Sequence, residues 1–139
     1  MSKLSPADDW DDHWGAYAES ARLNPAQSYR RSLVFRHLAL EHAPRPVRVL
    51  DIGSGQGDFA SELKTSYPDV EVLGLDFSRV GVELSRRKVP TAVFLERQLL
   101  EAPDPPPEYA QWATHAVCSE VLEHLDEPEK LLVNVQSYM

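Results

Sequence analysis

The residues best placed to do chemistry are two carboxylates and three alternating glycines. In Val47-Arg48-Val49-Leu50-Asp51-Ile52-Gly53-Ser54-Gly55-Gln56-Gly57-Asp58-Phe59-Ala60 a short apolar run ends on Asp51 and then on Gly53, Gly55 and Gly57. Glycine has no Cβ, so such a loop turns sharply and brings its backbone against a ligand that side chains would hold away. The pattern reads as a strand, a ligand-cradling loop and a helix start. Spacing then narrows the ligand. The dinucleotide fingerprint wants Gly-x-Gly-x-x-Gly, but here the third glycine comes one residue early and Asp58 stands where that fingerprint needs Gly. A phosphate loop would end in Gly-Lys-Ser/Thr, and no lysine lies between Lys3 and Lys64. With Asp51 at the loop mouth and Asp58 in the first helical turn, a bound pyrophosphate would face two carboxylates. A ligand carrying positive charge fits the site better.

S-adenosylmethionine is such a ligand, with an ammonium, a sulfonium and no phosphate. Two further motifs follow in order. The run Val70-Glu71-Val72-Leu73-Gly74-Leu75 ends in Asp76-Phe77-Ser78, about 20 residues beyond the glycine loop, the interval at which doubly wound folds place a ribose-binding carboxylate. Both ribose hydroxyls can donate to one carboxylate, and Phe77 beside it can cover an adenine face. The third is Trp112-Ala113-Thr114-His115-Ala116-Val117-Cys118-Ser119-Glu120-Val121-Leu122-Glu123-His124-Leu125. With these three motifs the chain resembles the class I S-adenosylmethionine-dependent methyltransferases of small-molecule type. The resemblance implies a cofactor set of Asp51, Gly53, Ser54, Gly55, Gly57, Asp76, Phe77, Gln98, Leu99 and Cys118. At Gln98, after the run Thr91-Ala92-Val93-Phe94-Leu95-Glu96, it departs from the pattern. Many members carry there an acidic residue that receives the adenine amino group, whereas a glutamine carbonyl accepts that bond without charge.

Methyl transfer is an in-line displacement with a good leaving group, so positioning donor and acceptor supplies most of the catalysis. A hydroxyl or acidic-carbon acceptor must also lose a proton, which calls for a general base. Glu120 and His124, expected on the helix after the fourth strand, are the candidate catalytic residues. The same residues also suit an ordinary first helical turn, with Val121, Leu122 and Leu125 as its buried face. On adjacent helical turns, Glu120-x-x-Glu123-His124 could hold a divalent cation, as in certain RNA ribose methyltransferases. Those need a further histidine downstream, and no metal is assigned here.

The surrounding elements must position these groups. From Asn24-Pro25, residues Tyr29, Leu33, Val34, Leu38 and Leu40 recur at helical spacing until Pro44 and Pro46, predicting an amphipathic helix before the first strand. Phe59, Leu63 and Tyr67 continue the helix after the glycine loop. Ser78 caps the next helix, which ends on Arg86-Arg87-Lys88, where a helix C-terminus favours cations. The proline-rich segment Ala102-Pro103-Asp104-Pro105-Pro106-Pro107 predicts a surface loop. The expected fold is α/β, a Rossmann-like doubly wound, mostly parallel sheet truncated after the fourth strand and its helix. The family's strand order, 3-2-1-4-5-7-6, implies 3-2-1-4 here and leaves the fourth strand at an apolar edge. The chain then reads as the N-terminal part of a methyltransferase domain over residues 23–139, behind a flexible acidic segment over residues 1–22. Trp14 and Tyr17 in or beside that segment could fold over the cofactor or simply pack. A complete small domain, its edge covered by self-association, is the alternative.

The 139 residues carry a formal net charge of −8, with Asp8, Asp9, Asp11 and Asp12 clustered early. That balance repels phosphate backbones and disfavours nucleic-acid partners. Arg22, Arg30, Arg31, Arg36, Arg45 and Arg48 read as the solvated side of a helix and its ends. The lone Cys118 cannot form an internal disulfide, and neither a membrane-spanning run nor a signal-peptide pattern is present, so a cytoplasmic setting is expected. Two function classes remain open. One is an enzyme that methylates a small-molecule acceptor; the other is a non-catalytic S-adenosylmethionine-binding or self-associating fragment. A metal-assisted RNA ribose methyltransferase is a more distant reading.

Overall fold

The computed structural model describes residues 24–101 and 104–139. The acidic segment, Trp14, Tyr17 and Arg22 lie outside the described residues. Four strands, β1 (Arg48–Ile52), β2 (Glu71–Asp76), β3 (Val93–Glu96) and β4 (His115–Cys118), form one sheet in the order β3-β2-β1-β4. All three pairings are parallel, with Leu50 beside Leu73 and Ala116, and Leu75 beside Leu95. A parallel neighbour requires a crossover. The helices α2 (Asp58–Ser66) and α3 (Arg79–Lys88) make the β1–β2 and β2–β3 crossovers, the segment from β3 to β4 carries a 3₁₀ turn at Pro107–Tyr109, and α1 (Pro25–Leu38) precedes the sheet while α4 (Pro128–Val135) follows it.

Strand alternation divides the core. Val49 of β1 and Val72 of β2 pack with Ala60, Leu63 and Val82 on one side, and Val34, Phe35 and Leu38 of α1 close over that layer. One residue further along each strand, Leu50, Ile52, Leu73 and Leu75 point the other way and meet Leu131, Val135 and Tyr138. Period two therefore places Asp51 on the α1–α3 side, directly beside Gly74 of β2. Gly74 is required there: a Cβ would lie 2.4 Å from Phe94 and 2.9 Å from the Ser54 Cβ.

The elements end where the local chemistry predicts. Asn24 caps α1 by accepting the Ala26 N–H, Ser78 caps α3 by accepting the Gly81 N–H, and α3 closes on Arg86, Arg87 and Lys88. Two expectations are corrected. Tyr29 is 66 % exposed and leaves the buried stripe of α1, and Phe35, which the spacing overlooked, stacks tilted on Phe59 at 5.2 Å. The segment after β4 is not a helix beginning at Glu120. It bends at a left-handed Glu120 and passes through a 3₁₀ turn at Leu122–His124 before α4 starts at Pro128. The chain's last residues return beneath the sheet, where the Tyr138 and Ser137 carbonyls accept the Ala113 and Gln111 N–H groups.

Candidate functional site

The glycine loop leaves β1 with three left-handed residues, Gly53, Gly55 and Gly57. A side chain at any of them would strain the backbone, and at two the space is also taken. A Cβ on Gly53 would lie 2.3 Å from Val121 Cγ2, and one on Gly57 would lie 3.0 Å from Ser85 Oγ. The loop is fastened from the side by β2 and α3. Leu75 O accepts the Gly53 and Ser54 N–H groups, Asp76 Oδ2 accepts that of Gly55 at 2.8 Å, and Ser85 Oγ donates to Gly55 O at 2.8 Å. Ser54 O takes the Gly57 N–H. Four of the loop's amide donors are thus committed within the protein. A phosphate cradle needs such donors free, and these four are not available to one.

The carboxylates divide differently from the sequence expectation. Asp58 does not face a ligand unpaired: Lys88 Nζ sits 2.6 Å from its Oδ1 and Gln56 donates to its Oδ2. Two further carboxylates in the lining, Asp51 and Asp76, stand on the neighbouring strands β1 and β2. Asp76 accepts the Gly55 and Ser78 N–H groups, one on each oxygen, which fixes its plane and leaves lone pairs for further donors. Asp51 is 5 % exposed, and its Oδ2 is buried with no hydrogen-bond partner among the described residues. Burial, reinforced by the neighbouring Asp76 charge, pushes its carboxyl up to about 7. A buried acceptor without a donor costs stability unless a ligand supplies one. Ser54 Oγ is buried and unpartnered in the same way.

These groups line a cavity of about 440 Å³ between the carboxyl ends of the strands and α1. This is where open parallel sheets bind ligands. Of the expected cofactor set, Asp51, Gly53, Ser54, Gly55, Asp76, Phe77, Gln98 and Leu99 line it, and so do the candidate catalytic residues Glu120 and His124. Gly57 and Cys118 do not. Gly57 is the N-cap of α2, and Cys118 is half-buried in the layer against α4 with its neighbour Ser119 lining the cavity instead. Gln98 Oε1, expected to receive an amino group, reaches back to the Leu100 N–H at 3.4 Å, and Leu99 is held by Asn134 Nδ2, which donates to its carbonyl. Sequence reasoning missed Gln27, Arg30, Arg31 and Val34, which form the α1 wall of the cavity. Helical spacing had marked the arginines as solvated, because nothing local signals which face of a helix crosses a binding cleft. The adjacent-turn arrangement of Glu120, Glu123 and His124 is not formed. Among the described residues no group of three or more His, Cys, Asp or Glu could hold a metal ion, and no helix is long and apolar enough to cross a membrane.

A family model described as a methyltransferase domain matches residues 26–139. The demethylmenaquinone methyltransferase of Thermus thermophilus is 42% identical over 84 residues, covering 58% of this chain and 37% of that protein. The trans-aconitate 2-methyltransferase of Rhodopseudomonas palustris is 27% identical over 127 residues, covering 91% and 46%. This chain therefore spans less than half the length of either relative. Among solved structures, the plantazolicin methyltransferase BpumL, crystallised with SAH and a monoazolic desmethylPZN analog, superposes with a TM-score of 0.69 at 19% identity over 92% of this chain and 52% of that one. A TehB-like SAM-dependent methyltransferase from Corynebacterium glutamicum superposes with a TM-score of 0.54 at 21% identity, over 84% and 68%. With its sheet order, its glycine loop and the matched span in agreement, the chain belongs to the class I S-adenosylmethionine-dependent methyltransferase family.

Proposed function

We propose that this chain holds S-adenosylmethionine in the cavity over the glycine loop, and that the protein it forms transfers the methyl group to a small-molecule acceptor. The observation that carries the reading is Asp51: a buried, unpartnered carboxylate oxygen beside a second carboxylate, next to a loop whose amide donors are already committed. That site favours a cation-bearing, phosphate-free nucleoside. The bound cofactor would supply a methyl group on a sulfonium leaving group. The chain's own residues do the rest by placement. Asp51 and Ser54 offer acceptors to the amino-acid end, Asp76 offers two oxygens to the ribose, and Phe77, Gln98 and Leu99 wall the base. Ile52, Leu75, Val121, Leu125 and Leu131 keep the cavity apolar and dry. Where an acceptor must lose a proton, His124 in the lining is the proposed group to take it, whereas Glu120, the other candidate, is engaged by Arg30 at 2.5 Å.

Small-molecule acceptors are supported by the relatives, which are named for menaquinone-precursor and trans-aconitate methylation. A cytoplasmic setting is supported by the single cysteine. A self-associating arrangement is favoured by one observation: β4 is a sheet edge among the described residues, and Leu132 and Val133 on the helix after it are 47 % and 62 % exposed. Titration calorimetry with S-adenosylmethionine and S-adenosylhomocysteine, with NAD and ATP as comparisons, tests the cofactor reading. Binding of the first two alone is expected, and equal binding of a phosphate nucleotide would overturn it. Sedimentation velocity reads the association state.

A further inference from the structure

The cavity is spanned on one side by a polar cluster of Gln27, Arg30 and Glu120. Arg30 Nη1 of α1 lies 2.5 Å from Glu120 Oε1 in the loop after β4. With the Gln27 amide oriented to satisfy both neighbours, its nitrogen donates to Glu120 Oε2 at 2.9 Å and its oxygen accepts from Arg30 Nη1 at 3.2 Å. All three residues line the cavity. Glu120 makes the contact from a left-handed backbone, φ 58°, a conformation a non-glycine residue keeps only when its surroundings hold it there. The helix it grips has little else to hold it. No residue of α1 is fully buried, and among the described residues its other ties are Val34, Phe35 and Leu38 on the core, the Phe35–Phe59 ring contact and the Arg31–Glu62 pair at 2.8 Å.

We infer that Gln27, Arg30 and Glu120 form a latch that holds α1 across the cofactor cavity, and that Glu120 is a positioning residue whose carboxylate is committed to this latch. The inference rests on the cofactor reading for its ligand, but not for its mechanics. A cleft walled on one side by a lightly docked helix exchanges its contents by moving that helix, and among the described residues the Glu120 cluster ties the helix across the cleft on its cavity side. Both charged side chains are partly exposed, 48% for Arg30 and 40% for Glu120. Such a pair is weak enough to open on the timescale of turnover. It is suited to setting a rate, not to holding the fold together.

The test uses the full chain with Arg30→Ala, Glu120→Gln and the exchanged pair Arg30→Glu with Glu120→Arg. Two quantities are read: amide hydrogen exchange over residues 25–38 without ligand, and the release rate of S-adenosylhomocysteine by displacement with excess S-adenosylmethionine. The latch predicts that each single variant loses protection in α1 while β1 stays protected, and releases ligand roughly 5- to 10-fold faster. The exchanged pair should return both readings to within about 2-fold of the parent. As a control, Arg79→Ala removes an exposed pair with Glu83 at 3.3 Å on α3 and should move neither. Unchanged release and unchanged α1 protection in the single variants overturn the latch, as does an exchanged pair no better than the singles. If the parent binds no adenosyl ligand while α1 still loosens in the variants, the cofactor reading fails and the latch stands.

Discussion

Val121 Cγ2 occupies the place where a Cβ on Gly53 would stand, 2.3 Å from that ideal position. The loop after β4 is thereby pressed onto the glycine loop after β1, and the two sides of the cavity are fixed relative to each other by one methyl group against a bare Cα. Gly53 also sits at φ 73°. Alanine at position 53 meets both obstacles. We expect Gly53→Ala to cost about 1–3 kcal/mol of stability in chemical denaturation and to weaken adenosyl-ligand binding at least tenfold. Adding Val121→Ala should recover the steric part and leave the backbone part. A double variant no more stable than Gly53→Ala would show that the contact with Val121 is not what excludes a side chain.

Asp76 ties the glycine loop to the start of α3 through the Gly55 and Ser78 N–H groups, both at 2.8 Å. Bonds from amides to a carboxylate are of the stronger kind, about 1.5–3 kcal/mol each. Asp76→Ala should therefore lower stability and adenosyl affinity together. Asp76→Asn, whose carbonyl can still accept one amide, should keep more of the stability than of the affinity. Calorimetry on both variants separates the roles. An unchanged dissociation constant in Asp76→Ala removes the proposed ribose contact.

Cys118 is half-buried, and its thiol is pushed up to about 11, first by burial and then by the charges of Asp51 and Glu123. The thiolate is the reacting form, and at pH 8 it would be populated at only about one part in a thousand. Alkylation by iodoacetamide at that pH should run roughly a hundredfold slower than for a free cysteine, and should quicken as the protein is unfolded in urea. Fast labelling of the folded chain would contradict the buried placement of the thiol at the end of β4.

The sheet was legible because its signals are local. Each strand is a short apolar run followed by a turn chemistry that ends it, and helices between β1, β2 and β3 imply parallel pairing there. Asp51 and Asp76 were legible for the same reason, since each closes such a run. What lay hidden depends on contacts between distant residues. Asp58 is offset by Lys88, thirty positions on; Arg30 meets Glu120 ninety positions on. Val121, Leu122 and Leu125 carry a helical spacing, yet Glu120 turns left-handed and Val121 is drawn onto Gly53, so tertiary packing overrides the local pattern and the helix starts only at Pro128. The arginines of α1 have helical spacing that is compatible with solvent, and only the fold decides that their helix crosses the cavity.

Asp51 couples stability to function through pH. Its carboxyl lies at about 7 in the folded chain against 3.8 as the unperturbed value. The folded state therefore binds more protons than the unfolded one between those limits, and stability must fall as pH rises through that window. The stability associated with its protonated form is fully present below pH 3.8 and is lost as the pH passes about 7. Three pH units correspond to roughly 4 kcal/mol as an upper bound. Asp51→Asn removes the ionisation while keeping the shape, so at pH 8 it should be more stable to urea than the parent and should lose this part of the pH dependence. Adenosyl binding runs the opposite way. A cationic ligand favours the ionised carboxylate, so the parent's affinity for S-adenosylmethionine should rise between pH 6 and 8, and that of Asp51→Asn should be weaker and flat. S-adenosylhomocysteine keeps the ammonium but lacks the sulfonium, so comparing the two slopes tells which cation Asp51 meets. Equal slopes assign it to the ammonium, and a slope confined to S-adenosylmethionine assigns it to the sulfonium. If neither ligand shows a slope, the buried carboxylate faces no ligand charge, and the cavity was built for something else.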